Sequence, residues 1–254
     1  MLTYSVLGNG VWGKRVVDIL RGMGRKVHPI YFSYKSLVGK GEYLEYLSEN
    51  LKKAKISSDI LWVAIPPNDQ FSICELATDI GFHQIYEKPW NVVSEQANRL
   101  HESALKRNLT VGVHFQYCYL DRLKFIADII SSQDSSTEFS GIFNISRINR
   151  LNIDPMDNLG VHLVAIKMLH FKSSTITSIK SSYNEADERK LSLTNKDGGI
   201  IEMLDFNHCA EPIIQRYIEA FENSIEMCES FQLDIDFARK VSLELSSIKK
   251  NVQI

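Results

Sequence analysis

Six residues near the start of the chain, Gly8-Asn9-Gly10-Val11-Trp12-Gly13, leave it few ways to fold. They form a G-x-G-x-x-G run between an apolar stretch, residues 2–7 (LTYSVL), and a segment, 11–23, with Val11, Val16, Val17, Ile19, Leu20 and Met23 at helical spacing. Gly8 permits a tight turn, Gly10 lets a phosphate approach the backbone, and Gly13 lets helix and strand pack closely. The free N–H groups and the dipole at a helix start favour a pyrophosphate. Alone the motif is a glycine turn. Its place between a strand and a helix, opening an alternating pattern, makes it a dinucleotide-binding signal.

The alternation continues. Strand-like 26–32 carries Pro29, awkward for a central strand. A helix is predicted near 43–55, a buried strand at Ile60–Ile65 closed by Pro66 and Pro67, and a helix over 69–80. A short strand at 84–86, a helix over 94–107 and a strand over 109–115 follow. Strands alternating with helices imply a mostly parallel sheet covered on both faces. Beyond about residue 120 the pattern changes to a helix at 119–131, a strand at 139–149, a helix at 157–170 and strands at 176–183, 190–195 and 199–207. Lys196-Asp197-Gly198-Gly199 supplies a hairpin turn. Two helices, 212–227 and 234–249, close the chain. The fold class expected is an α/β Rossmann N-terminal domain plus an α+β C-terminal domain with a mostly antiparallel open sheet. The boundaries expected are 1–118 and 119–254, with the C-terminal helices free to pack back on the first domain.

The 254 residues carry 29 basic and 31 acidic side chains, so a general nucleic-acid binder is not expected. Cys74, Cys118, Cys209 and Cys228 form no C-x-x-C pair and suit reduced thiols. Met1 runs straight into a strand-like segment with no charged start or apolar signal core, and no apolar run approaches the ~20 residues of a membrane span. A cytoplasmic protein is expected. The polar stretch Ser131–Thr137 reads as a loop.

The end of the second strand usually carries an acid for the ribose hydroxyls of NAD. Phe32-Ser33-Tyr34-Lys35-Ser36 has none, and Ser33, Lys35 and Ser36 could hold a 2′-phosphate, which slightly favours NADP over NAD. Between Ser36 and Glu42 there is no room for a further helix and strand, so the adenosine side of the site is expected to be cut down.

The order of the glycine turn, Ile65-Pro66-Pro67-Asn68, Glu87-Lys88-Pro89, Val111–Tyr117, Asn158-Leu159-Gly160-Val161-His162 and the two closing helices resembles the Gfo/Idh/MocA oxidoreductase family. The resemblance covers nearly the whole chain. It implies NAD(P)-dependent oxidation or reduction of sugars, cyclitols and related compounds. It implies cofactor contacts from Gly8 to Gly13, from Ile65 to Asn68 and from Glu87 to Pro89. It also implies Lys88 as the catalytic or orienting lysine and His162 as the acid/base. Chemistry agrees: hydride transfer at a carbinol carbon needs a base, and His titrates near ~6.5. A lysine, at ~10.4, stays charged unless buried.

Departures from the family pattern bear on the reaction. Asn158 stands for the usual Asp, Asp157 is one residue out of register, and Ala165 replaces a further acid. His114 and Gln116 take positions where Asn and Arg are common and are candidate substrate contacts. Arg147 and Arg150 could hold an anion, although exposed sheet-edge arginines explain them as well. Asp157 and Asn158 also suit helix capping. Trp12, Trp62 and Trp90 read as core or cleft walls, and Tyr117 and Tyr119 as packing. No metal site is expected, for the histidines form no close ligand set. Three functions stay open: a sugar-type oxidoreductase, a non-catalytic dinucleotide-binding regulator, and an imine or enamine reductase. In the first, Lys88 and His162 are expected to flank the nicotinamide in one cleft. The second domain's alternating strands are expected to offer an apolar face for homo-oligomer formation.

Overall fold

The computed structural model of the chain describes residues 1–30, 40–90, 92, 94–131, 137–146, 153–183, 186–208 and 212–252. Its contacts fall into two units, Met1–His114 with Tyr217–Arg239 and Phe115–Arg216 with Lys240–Ile254.

In the first unit β1 (Thr3–Leu7), β2 (Lys26–Ile30), β3 (Ile60–Val63), β4 (His83–Tyr86) and β5 (Val111–Val113) form one sheet in the order β2-β1-β3-β4-β5. Every pairing is parallel. The helices α1 (Val11–Gly22), α2 (Lys40–Lys55), α3 (Gln70–Ile80) and α4 (Ser94–Lys106) carry the crossovers. Tyr4, Val6, Leu7, Ile60, Leu61 and Trp62 are fully buried, as expected for central parallel strands covered on both faces. Pro29 lies on β2, an edge strand where a missing N–H costs no ladder bond on the open side. Among the described residues no strand lies outside β2, and α2 leads to β3 on the other side of β1, so the outer strand of the full 3-2-1-4-5-6 order is not among them. Parallel strands put all their carboxyl ends on one edge. The glycine turn after β1, Ile65–Asn68 after β3, Glu87–Pro89 after β4 and His114 after β5 therefore leave the sheet on the same side.

Helix α7 (Ile213–Glu226) gives its residues from Tyr217 onward to this unit. Glu222 fastens it. Its carboxylate accepts from Tyr4 Oη at 3.0 Å and is gripped by Arg25 at 2.8 and 2.6 Å. Forked arginine–carboxylate geometry of this kind fixes direction as well as distance.

In the second unit α5 (Asp121–Ser131) leads to a sheet of β6 (Thr137–Ile145), β7 (Thr175–Tyr183), β8 (Glu188–Asn195) and β9 (Ile200–Asp205) in the order β7-β6-β8-β9. The β6–β7 pairing is parallel and the other two are antiparallel. The expected strand 139–149 is present as β6, which begins at Thr137, and residues 147–149 lie outside the described residues. The β8–β9 turn forms as predicted, with Gly198 at φ +80° and the Asn195 side chain accepting from Gly199 N at 2.7 Å. Helix α6 (Val161–His170) covers one sheet face, where Phe139, Phe143, Leu191, Leu193 and Leu204 are buried and Leu163 lies against Gly141.

The other sheet face corrects an expectation. Cross-strand register sets Ser178, Ser140, Ser192 and Met203 in one row, and Lys180, Ile142, Lys190 and Asp205 in the next. Most apolar members of the alternation face α6. Among the described residues the other face carries Ile142, Ile200 and Met203 amid serines, lysines and acids, a smaller apolar surface than the alternation suggests.

Candidate functional site

The glycine turn is the first component. Gly8 has φ +129°, and a Cβ there would lie 2.4 Å from Ala64 O. A Cβ on Gly13 would lie 2.3 Å from Gly8 O. Both glycines are therefore required for the chain to fold back so tightly. Gly10 differs: it has ordinary φ, −73°, and a Cβ there would meet nothing within 4 Å. The space in front of Gly10 is open, Asn9 and Gly10 are exposed, and no side chain caps α1. Its first-turn N–H groups face that space as an anion site would require. Val11, the first residue of α1, is 87% exposed.

The segment after β3 begins with Ile65 and passes through Pro66 (φ −55°, ψ 151°) into a single 3₁₀ turn, Pro67–Asp69, that starts α3. Proline suits a first helical position because its missing N–H would have no partner there. Of Asn68 only the backbone is described.

Glu87-Lys88-Pro89 follows β4, and the Lys88–Pro89 peptide is cis. Gln70 Nε2 donates to Glu87 O at 2.7 Å, which pins this segment to the start of α3. The Glu87 carboxylate turns inward, with 13% of its side chain exposed. Trp62 Nε1 donates to its Oε1 at 2.9 Å, and His114 Nδ1 lies 3.3 Å from the same oxygen. Burial alone would push this carboxyl up, but His114 and the indole N–H groups of Trp12 and Trp62 outweigh it and hold the group below its ordinary range. Lys88 keeps part of its surface, yet its ammonium lies deep enough for desolvation to bring it down to about 8, against the opposing pull of Glu87. A lysine so tuned changes charge near neutral pH, a common mark of functional positions.

His114 has no exposed surface. Its backbone N donates to Tyr86 O at 2.8 Å, and its ring sits among Trp12 (5.9 Å, stacked), Trp62 (5.0 Å, edge-on) and Tyr217 (4.7 Å, edge-on). The structure thus places this expected substrate contact in the interior of the first unit. Strand periodicity could not reveal that, since Tyr217 arrives from α7, about a hundred residues away in sequence.

The second unit holds the remaining candidates. Gln116 opens a 3₁₀ turn, Gln116–Tyr119, and its Oε1 is buried without a hydrogen-bond partner among the described residues. Met156–Gly160 winds as a π turn before α6. Asp154 caps it, accepting from Met156 N at 2.8 Å, so capping falls to neither Asp157 nor Asn158. Asp157 pairs with Lys249 of α8 (Ile235–Val252) at 3.0 Å, and Asn158 Nδ2 donates to Tyr183 Oη. His162 is 3% exposed, edge-on to Tyr117 at 4.9 Å and tilted against Phe143 at 5.8 Å. Ala165 is fully buried in α6.

The structure brings the glycine turn, Ile65–Asn68, Glu87, Lys88 and His114 together at one edge of the first unit. Gln116, Asn158 and His162 belong to the second. Ser33, Lys35, Ser36, Arg147 and Arg150 lie outside the described residues, as does most of the expected loop 131–137. Sequence reasoning missed Tyr217, Tyr183, Asp154 and Lys249. Tyr217, Tyr183 and Lys249 are tied to the site by partners distant in sequence, and Asp154 by a local cap of the π turn. Among the described residues no group of three His, Cys, Asp or Glu side chains could hold a metal, and Cys74, Cys118 and Cys228 are free thiols.

Comparison with solved structures establishes the fold. The chain superposes on UDP-N-acetylglucosamine 3-dehydrogenase GnnA from Acidithiobacillus ferrooxidans with a TM-score of 0.72 and 14% identity, covering 97% of this chain and 96% of that one. The WlbA (WbpB) dehydrogenase from Thermus thermophilus, crystallised with NAD and alpha-ketoglutarate, gives 0.71 and 13%, covering 95% and 92%. KijD10, a 3-ketoreductase from Actinomadura kijaniata crystallised with NADP and TDP-benzene, gives 0.69 and 13%, covering 98% and 97%. No family model and no curated protein sequence matches the chain. The two-domain fold implied by the sequence resemblance is therefore the fold of these sugar dehydrogenases and ketoreductases.

Proposed function

We propose that the chain is an NAD(P)-dependent oxidoreductase of a sugar, cyclitol or related small metabolite, with residues 1–118 as the dinucleotide domain and 119–254 as the substrate domain. A sugar carried on a nucleotide is the first substrate class to test, since UDP-N-acetylglucosamine 3-dehydrogenase and the 3-ketoreductase share the fold. One observation carries the reading: open space before Gly10 at an uncapped helix start, on the same sheet edge as a lysine brought down to about 8. The residues present fit a dinucleotide. Gly8–Gly13 would hold the pyrophosphate, with Ile65–Asn68 and Glu87–Pro89 lining the same edge.

The nicotinamide supplies or accepts the hydride. The proton is the chain's own task. In the reducing direction the Lys88 ammonium polarises the carbonyl oxygen and gives it a proton as the carbinol forms. In the oxidising direction the neutral amine takes that proton back. A group titrating near 8 is present in both forms at working pH. Gln116, Asn158 and Arg147 remain the candidates for substrate contact and His162 for assisting the proton transfer, while His114, with no exposed surface, is left to the interior.

NADPH should bind more tightly than NADH, because no carboxylate between Phe32 and Ser36 repels a 2′-phosphate. Fluorescence titration of both checks this; equal or stronger binding of NADH removes the lean to NADP.

The second reading, a non-catalytic dinucleotide-binding regulator, is favoured by the second unit. His162 is packed on Tyr117 and Phe143, and Asp157 is occupied by Lys249. Turnover separates the two: tight NADPH binding without oxidation of NADPH by any keto-sugar nucleotide supports the regulator.

Cytoplasmic residence belongs to the proposal; no helix among the described residues is long and apolar enough to cross a membrane. So does self-association. With serines and lysines on the open sheet face, any association there would be polar and salt-sensitive. Sedimentation at tens of micromolar should show a species above 29.0 kDa that dissociates as salt is raised; a 29.0 kDa species alone removes it.

A further inference from the structure

We propose that Glu87 is a positioning residue that couples the glycine turn to the Lys88 segment, with His114 as its buried counterpart. The inference rests on the dinucleotide reading above. It assigns Glu87 an inward task instead of a cofactor contact.

Three elements meet at one carboxylate. Trp62 reaches it from the middle of β3, His114 from the end of β5, and Trp12 from the first turn of α1. The backbone of Glu87 is separately fixed by Gln70, so the carboxylate and the Lys88 peptide share one anchored segment. Tyr217 closes the box from α7 and leaves His114 no route to solvent.

The box is not fully tightened. Among the described residues, Trp62 is the one side chain that makes a well-aligned hydrogen bond to the Glu87 carboxylate. Trp12 Nε1 and both ring nitrogens of His114 are buried without one, although Trp12 and His114 face the carboxylate. Buried donors out of alignment are costly. A small inward shift of the turn would align Trp12 with Glu87 and recover that cost. A pyrophosphate drawn onto the N–H groups of α1 pulls on the same turn. Phosphate binding and closure of the box therefore favour each other, and closure holds Glu87, and with it Lys88, in one place. A ligand shifts an equilibrium only through such differential contacts.

The box also explains a departure from the family pattern. An Asn at position 114 could bond Glu87 but could not stack on Trp12 while filling the space between Trp62 and Tyr217.

The test uses the full chain, isotope-labelled for tryptophan side-chain NMR, as wild type, Glu87→Gln and Trp12→Phe. Trp12→Phe keeps an aromatic ring beside His114 while removing the N–H with the rest of the pyrrole ring, so it is the milder change to the core if Glu87→Gln fails to fold. ADP-ribose, which fills the turn without a nicotinamide, should shift the Trp62 indole N–H resonance in the wild type, although Trp62 is fully buried. That response should vanish in Glu87→Gln. NADPH affinity should fall about tenfold in both variants, the size expected for one charge-assisted hydrogen bond. Wild-type binding with a silent Trp62, or with affinity unchanged in both variants, overturns the coupling alone. Failure of the wild type to bind either dinucleotide overturns the parent reading and the coupling with it.

Discussion

Gly10→Leu should fold like the wild type and lose dinucleotide affinity by at least ~100-fold, equivalent to roughly 2.7 kcal/mol. The two halves of this expectation come from one geometric fact. A Cβ on Gly10 meets no protein atom within 4 Å and φ is −73°, so a side chain there is neither crowded nor strained. Leucine is a poorer helix cap than glycine, which costs less than ~1 kcal/mol. The same open space is where a pyrophosphate must lie to reach the N–H groups of α1, and a leucine side chain would fill it. Gly13→Ala should behave in the opposite way. Its Cβ would lie 2.3 Å from Gly8 O, a backbone atom that cannot swing aside, so the protein should lose roughly 1–3 kcal/mol of stability and several degrees of Tm. Thermal melts and NADPH titrations of the two variants separate the effects. Gly10→Leu binding NADPH with wild-type affinity would show that the turn is not the site.

Much of the first unit could be read from the sequence because its signals are local. A glycine that ends a strand, apolar residues at helical spacing and a proline pair after ILWVAI each fix an element with no help from distant residues. Too few residues separate Ser36 from Glu42 for a further helix and strand, and among the described residues β2 is an edge. The second unit shows the limit. Its strands alternate, but alternation does not say which face a helix will cover. That depends on where α6 lands, and Gly141 admits Leu163 on the side that buries Phe139 and Phe143. The neighbourhood of His114 was hidden for a similar reason. Three of its partners come from α1, β3 and α7, and although Trp12 and Glu87 stand in recognisable motifs, neither motif says that their side chains meet at His114. Asp157 shows the same thing with charge. In sequence it stands beside the motif position, and in the structure Lys249 of the last helix holds it.

Lys88 carries the largest expected effect on turnover. Sequence leaves a lysine at its ordinary value unless it is buried, and the fold supplies the burial that brings this one to about 8. The consequences for pH have fixed signs. If the ammonium delivers the proton, reduction of a keto substrate should fall as pH rises through about 8, and oxidation should rise over the same range. Lys88→Met removes the transferable proton and the positive charge while keeping an unbranched chain of similar length. It should lower turnover by ~10²–10⁴-fold and leave the NADPH dissociation constant within about twofold, a difference of roughly 0.4 kcal/mol. Stability gives an independent check without a substrate. Between about 8 and the ordinary 10.5 the unfolded chain holds a proton at this residue that the folded chain has released. Stability should therefore gain with rising pH across that window, and the gain should be missing in Lys88→Met. At pH 7 both states of the wild type are protonated, and the folded state bears the full cost of the buried charge. The methionine variant should therefore melt higher there than the wild type. Reaction of the amine with trinitrobenzenesulfonate, followed against pH, should give an apparent pKa of about 8. A value near 10.5, together with undiminished turnover in Lys88→Met, would remove Lys88 from the chemistry. The regulator, whose second unit has Asn158 and Ala165 in place of acids, would then be the better account of the chain.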